Sequence, residues 1–211
     1  MYIPKQFRET RADVILQALN DLRLGILVSA GEEAVEATHL PLLADYDTAG
    51  RLRLRGHVAR ANQQWRRLAG ARALVIFQGP HAYISPSFYP SKHEHGKVVP
   101  TWNYLAIHVS GHATAIDDAD WLRDVVGHLT EAQEAGRARP WAVGDAPEDY
   151  IAGMVKAIVG VEIIAENIEA SWKFVQHRSE ADRLGVIAGL SDANPEVADM
   201  MSALEKDRSG E

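Results

Sequence analysis

Cysteine is absent from the 211 residues. That excludes disulfides, zinc–thiolate centres, iron–sulfur clusters and thiol catalysis. No run of about 18 uncharged apolar residues occurs, so no transmembrane helix and no membrane partner are expected. The opening Met1–Glu9 lacks the basic-then-apolar pattern of a signal peptide, and the expected location is cytoplasmic. GxSxG, P-loop and GxGxxG motifs are also missing, as is a helix-turn-helix with a basic recognition helix. Ser85, Ser87 and Thr101 have no base partner at a fixed spacing, so nothing argues for a hydrolase triad.

Acidic side chains are missing from one long stretch. Residues 48–93 hold seven arginines and Lys92 with no Asp or Glu, a local charge of +8 in a chain of net charge −7. The remainder therefore carries −15. An acidic chain is a poor non-specific partner for nucleic acid, which leaves two readings of the basic block. It is either a surface whose arginines are paired elsewhere in the fold, or a positive face for a phosphate-bearing ligand.

Hydrophobic residues make up 46% and charged residues 24%, the usage of an ordinary globular chain. Thr10 and Asp13 suggest a capping box ahead of a helix whose buried stripe is Val14, Ile15, Ala18, Leu19 and Leu22. Strands are expected at 24–29, 35–44 and 51–55, the last alternating arginine with leucine. Asn62 marks the N-cap of a short helix. Strands at 73–78 and 81–85 flank Gly79-Pro80 and read as a hairpin; residues 91–97 read as a polar loop. One long strand follows at 101–116, with a bulge at Gly111. Helices are expected at 117–135, from Pro147, from a Ser179/Asp182 box to Leu190, and at 195–206, with strands at 159–165 and 172–176. The fold class is α+β, mainly β, and β runs joined by short turns point to an antiparallel barrel with peripheral helices and a helical C-terminal end. The expected organisation is a domain over 1–190, then a C-terminal helix and tail over 191–211.

The strongest local chemistry is Arg55-Gly56-His57-Val58-Ala59-Arg60-Ala61-Asn62 at a strand-to-helix junction. Backbone N–H groups there, with Arg60 and His57, suit a phosphate; the same junction also occurs for structural reasons alone. His39, His57 and His81 sit at predicted strand ends, where barrels hold ligands. His93 and His95, and likewise His108 and His112, match no closed metal-ligand set, and no metal is expected. Residues 78–89 and 100–104 concentrate aromatic and amide groups suited to a flat heteroaromatic ring, or to core and dimer contacts.

Five ordered stretches carry a resemblance: Met1–Lys5, Ala37–Pro41, Gly56–Asn62, Phe77–Ser87 and Val99–Tyr104. Together they resemble the PaiB family, described as FMN-binding negative transcriptional regulators on a split β-barrel related to pyridoxamine-phosphate oxidases and flavin reductases. The resemblance implies an FMN-binding homodimer with flavin sites near the subunit interface, a regulatory or redox-sensing role, and DNA as a candidate partner. It assigns Thr38, His39, Leu40, His57, Arg60 and Asn62 to the flavin site, with Arg60 on the phosphate. His81, Tyr83, Ile84, Ser85, Trp102, Asn103 and Tyr104 fall around the isoalloxazine ring or at the dimer seam. Near the end, the family's Trp-Lys-Leu-Ser-Gln-Asn reads Trp172-Lys173-Phe174-Val175-Gln176-His177. Lys173 and Gln176 are kept as cofactor-binding candidates, whereas Val175 and His177 depart from the pattern. Two alternatives use the same fold: a flavin reductase or oxidase, and a heme binder with an axial ligand from His39, His57, His81 or His177.

Overall fold

The computed structural model describes residues 1–31 and 33–209. Its strands are β1 (Arg8–Glu9), β2 (Leu24–Ala30), β3 (Val35–Tyr46), β4 (Leu52–Ala59), β5 (Ala71–Ile84), β6 (Thr101–Ile116) and β7 (Ile158–Lys173). Its helices are α1 (Ala12–Leu22), α2 (Ser91–His95), α3 (Ala119–Glu134), α4 (Glu148–Lys156), α5 (Glu180–Leu190) and α6 (Pro195–Ser209). The strands form one antiparallel sheet in the order β1-β7-β4-β3-β2-β5-β6, and a further β7–β6 pairing closes it into a split β-barrel. Among the described residues no helix is long and apolar enough to cross a membrane.

Alternation explains the strands. In β4, Leu52, Leu54, Gly56 and Val58 are buried while Arg53, Arg55 and His57 stand on the other face. Register is held on both sides, Leu42 opposite Gly56 and Gly56 opposite Val161. Close approach matters most at Gly111 in β6, where a Cβ would overlap the Ile164 carbonyl of β7. Closing the barrel there requires a residue with no side chain.

Two expected hairpins or breaks are in fact continuous strands. Gly79-Pro80 does not turn the chain: β5 runs unbroken from 71 to 84. Its inward positions pass from odd to even numbers, Ala73, Val75, Phe77 and Gly79, then Ala82 and Ile84. That one-residue gain is the phase change a bulge produces. The β2 ladder covers only Ala73–Ile76, so the missing N–H of Pro80 costs no bond on that side. Likewise, the expected strands at 159–165 and 172–176 are one strand, 158–173. Its exposed middle, Glu166-Asn167, lies between the stretch paired with β4 and the stretch paired with β1, and so mimics a break in sequence.

Helix ends also differ from expectation. Arg11, not Thr10, is the N-cap of α1, and it makes no side-chain cap bond. The polar 91–97 segment contains the short helix α2, stopped by Gly96 at φ 67°. Pro147 is the N-cap residue of α4 rather than a first-turn residue. Ser179 does cap α5, accepting from the Asp182 N–H at 3.3 Å. The Asp182 carboxylate, however, accepts from the N–H and the hydroxyl of Ser91 at 3.1 and 2.8 Å.

Contacts divide the chain into two compact units. The first comprises residues 1–10, 78–106 and 170–211. It holds α5 and α6 together partly through Arg183, which donates to both oxygens of Glu205 at 2.7 Å. The second comprises residues 11–77 and 107–169. Its core includes Leu19, Leu27, Leu42, Leu54 and Val75, with a smaller cluster of Leu122, Ile151 and Val155 where α3 meets α4. Within that unit Gln64 is a buried hub, donating to the Ser29 hydroxyl at 2.9 Å.

The glycines give a stability test. Gly111→Ala should cost about 1–3 kcal/mol through overpacking against β7. Gly127→Ala on α3, where a Cβ meets nothing within 4 Å, should stabilise by about 0.5–1 kcal/mol through helix propensity. Urea unfolding midpoints measure both, and a Gly111→Ala protein as stable as the parent would refute the closure argument.

Candidate functional site

In the first unit, the phase change in β5 turns His81 and Tyr83 outward, while Trp102 and Tyr104 occupy the outward positions of β6. Tyr83 and Trp102 are 50% and 53% exposed, unusual for rings of this size on a sheet. The Trp102 ring centroid lies 6.1 Å from both His81 and Tyr83, the latter edge-on at 70°. The His81 backbone is fixed by Asn194, whose amide donates to its carbonyl at 3.1 Å. On β7, the Lys173 ammonium sits 5.3 Å from the centroid of the Tyr104 ring. Burial pushes the Lys173 amine below its ordinary value. The result is an open platform of four rings with one partly desolvated cation.

The other expected residues of this unit serve packing or turns. Ile84 and Asn103 are fully buried, and the Asn103 amide points to the Met201 sulfur at 3.3 Å. Ser85 caps a 3₁₀ turn and shares a 2.8 Å bond with the Ser87 hydroxyl. Gln176 braces the chain after β7, accepting from the Phe174 N–H at 2.8 Å and donating to the Trp172 carbonyl. It supports Val175, which is buried at φ 55°, a conformation that β-branched residues avoid. His177 is exposed and meets Phe7 edge-on at 5.6 Å. Of the two departures from the family pattern, only His177 is open to a ligand.

In the second unit, the junction expected to hold phosphate is internally satisfied. Asn62 accepts from the Gln64 N–H as the N-cap and donates to the Thr38 hydroxyl at 2.8 Å. Arg60 donates to both oxygens of Asp117, at 2.8 and 2.5 Å, and to the carbonyls of Lys156 and Ile158. That hydrogen bond holds the Asp117 carboxyl below its usual range. Leu40 is core, and His39 is exposed opposite Ile26 in the β2–β3 ladder. Six of the seven arginines in the basic block face carboxylates: Arg51–Asp47, Arg53–Asp45, Arg55–Asp45 and Asp124, Arg60–Asp117, Arg67–Glu36 and Arg72–Glu166. Arg66 stacks on Trp65 at 4.7 Å. Pairing within the fold accounts for most of the block.

His57 stands apart from that junction. It lies under α3, on the lining of a cavity of about 160 Å³ with Val126, Trp141 and Ile151. Burial lowers the His57 imidazole from its ordinary 6.5, so the ring is neutral at pH 7. Trp141 is not singled out as a ligand contact by sequence, whereas Tyr104 belongs to the Trp102-Asn103-Tyr104 stretch that the resemblance places at the ring or the dimer seam. Trp141 carries no signal beyond being aromatic in a turn-rich connection.

Acid sensitivity follows from these environments. Burial holds His57 and His108 below the ordinary 6.5, so on acidification the unfolded chain takes up protons first. Their contribution to stability is complete above 6.5 and is lost as the pH falls from there towards the folded values. Arginine-paired Asp117 and Glu36 are held below 3.8 and 4.5, so their contributions survive to lower pH. Urea midpoints should decline as the pH falls below 6.5, less steeply in His57→Phe. A flat profile in the parent protein would contradict the neutral buried imidazoles.

The family described as "Putative FMN-binding domain" matches residues 1–167. The chain is 35% identical over 207 residues to the protease synthase and sporulation protein PAI 2 of Bacillus subtilis, covering 97% of each chain. It is 31% identical to an uncharacterized protein of Aspergillus fumigatus, over 99% of this chain and 97% of that one. Among solved structures, an FAD- and heme-binding protein of Mycobacterium smegmatis superposes with a TM-score of 0.58 at 18% identity, over 86% of this chain and 80% of that one. A flavocytochrome of Azotobacter vinelandii gives a TM-score of 0.58 at 12% identity, over 87% of this chain and 78% of that one. These two share the fold.

Proposed function

The chain belongs to the PaiB-like FMN-binding domain family, and from that membership we propose that it binds FMN as a homodimer, with the isoalloxazine ring on the platform of His81, Tyr83, Trp102 and Tyr104. The observation that carries the reading is the half-exposed Tyr83–Trp102 pair, with Lys173 over the ring of Tyr104 two residues further along β6. Aromatic planes stack a flat ring, and an ammonium that has already lost part of its hydration donates strongly to a ring carbonyl. Bound FMN would supply redox chemistry that no protein side chain offers. Trp102 and Tyr83 orient the ring and exclude water from one face. Lys173 donates a hydrogen bond to its polar edge and favours negative charge there. Exposed aromatics of this size are also what a second copy of the chain would cover, so the dimer seam is assigned to the same face.

A regulatory role, suggested by the sporulation relative's name, would then act through flavin occupancy or redox state. Direct electrostatic grip on DNA finds little support in a basic block whose arginines mostly face carboxylates.

The test is absorbance and gel filtration of purified protein mixed with FMN. The expected result is a yellow dimer retaining about one FMN per chain, with Trp102→Ala and Lys173→Ala each weakening retention about tenfold. A colourless monomer, or variants that hold FMN as the parent does, would refute the platform. NAD(P)H consumption above that of free FMN would make the protein a reductase rather than a sensor.

A further inference from the structure

We propose that Gln176 is the positioning residue of the platform: its carboxamide grips the peptide groups on either side of Lys173 and so fixes the ammonium over the Tyr104 ring. The placement of Lys173 is argued from the protein alone; its consequence for FMN rests on the platform reading above.

Lys173 is the last residue of β7, and the β1 ladder has already ended at Ser171. A lysine at a strand end ordinarily has a fraying backbone and many rotamers open to it. Here one side chain holds both neighbouring peptide groups. The Gln176 amide donates to the Trp172 carbonyl, and its oxygen accepts from the Phe174 N–H at 2.8 Å. In an extended chain those two groups point to the same side of residue 173, and a pairing strand would supply both bonds. A carboxamide can do so because it carries a donor and an acceptor side by side, as a peptide does.

For Gln176 to reach back, the chain must reverse within two residues. Val175 makes the reversal at φ 55°, buried, in a conformation that β-branched residues avoid. Main-chain bonds hold it there. The Arg178 N–H donates to the Val175 carbonyl at 2.9 Å, and the Arg208 guanidinium near the end of α6 donates to the Gln176 carbonyl at 3.0 Å. Strain of this kind persists only where the surroundings over-determine it, and it clusters at functional sites. What this turn holds is the segment that carries the lysine. Gln176 therefore acts through Lys173, with its oxygen and amide already engaged by the backbone.

The ammonium lies 5.3 Å from the Tyr104 ring centroid, and burial there holds the amine below its ordinary 10.5. Two titratable groups face it. One is the Tyr104 phenol of β6; the other is the His177 imidazole of its own turn, which partial desolvation and then the Arg178 and Lys173 charges hold below 6.5.

Two measurements test the assignment, and the first needs no flavin. The Lys173 amine is titrated by NMR with ¹³C-labelled lysine, in a Tyr104→Phe background so that no phenol ionises beside it. With Gln176 in place it should titrate below 10.5, and in Gln176→Leu it should move up towards 10.5 as the freed amine regains water. Gln176→Asn, the same amide on a stem too short to span both groups, should move it the same way and serves if Gln176→Leu does not fold. The second measurement is a double-mutant cycle on FMN retention. Gln176→Leu should lose about tenfold, as Lys173→Ala does, and the two together no more than either alone. An ordinary Lys173 titration in the presence of Gln176, a titration unmoved in either Gln176 variant, or losses that add in the double variant would each overturn the proposal. If no form of the protein retains FMN, the platform reading fails by itself and the titration still decides this one.

Discussion

A strand can present a side chain to only one face, and the gain of one residue at Gly79-Pro80 decides which side chains of β5 face outward. Before it, odd positions are buried; after it, even positions are. With an unbroken alternation, His81 and Tyr83 would enter the core and Ala82 and Ile84 would leave it. The shift instead sets the two rings beside Trp102, while Ala82 and Ile84 remain buried. Gly79 fits tightly against Leu105, and Pro80 is tolerated because the β2 ladder has already ended. The candidate flavin surface rests on this single change of phase.

Electrostatics in the second unit tell a complementary story. A run of arginines without acids looks like a ligand field when read along the chain. In space, antiparallel pairing places Asp45 across from Arg53, and α3 and the segment before it deliver Asp124 and Asp117. These pairs are partly exposed, and each contributes modestly to stability. Their larger effect is to remove positive charge from the surface. Arg60 ties the end of β4 to the end of α4 and the start of β7 through the Lys156 and Ile158 carbonyls, a bracing role that a phosphate role would have to share.

The site was legible where periodicity and turn chemistry act locally. Asn62 as a cap, Ser179 as a cap, the alternating Arg53 and Arg55, and the long β6 strand all follow from rules that span a few residues. The joined strands β5 and β7 were not legible, because a Gly-Pro pair and an exposed Glu-Asn pair carry the same local signal as a turn. Nor was the cavity at His57, whose lining comes from residues up to about a hundred positions away.

By itself the sequence determined the α+β composition, the exclusion of thiol and disulfide chemistry, most element positions, and a family resemblance that the comparisons bore out. Those properties depend on residue identity and short-range order. Tertiary structure decided which aromatics stay open, which arginines are neutralised, and where a neutral histidine meets an apolar cavity. Each of these is set by partners distant in sequence, because burial, charge pairing and enclosed volume are properties of packed surfaces rather than of a chain.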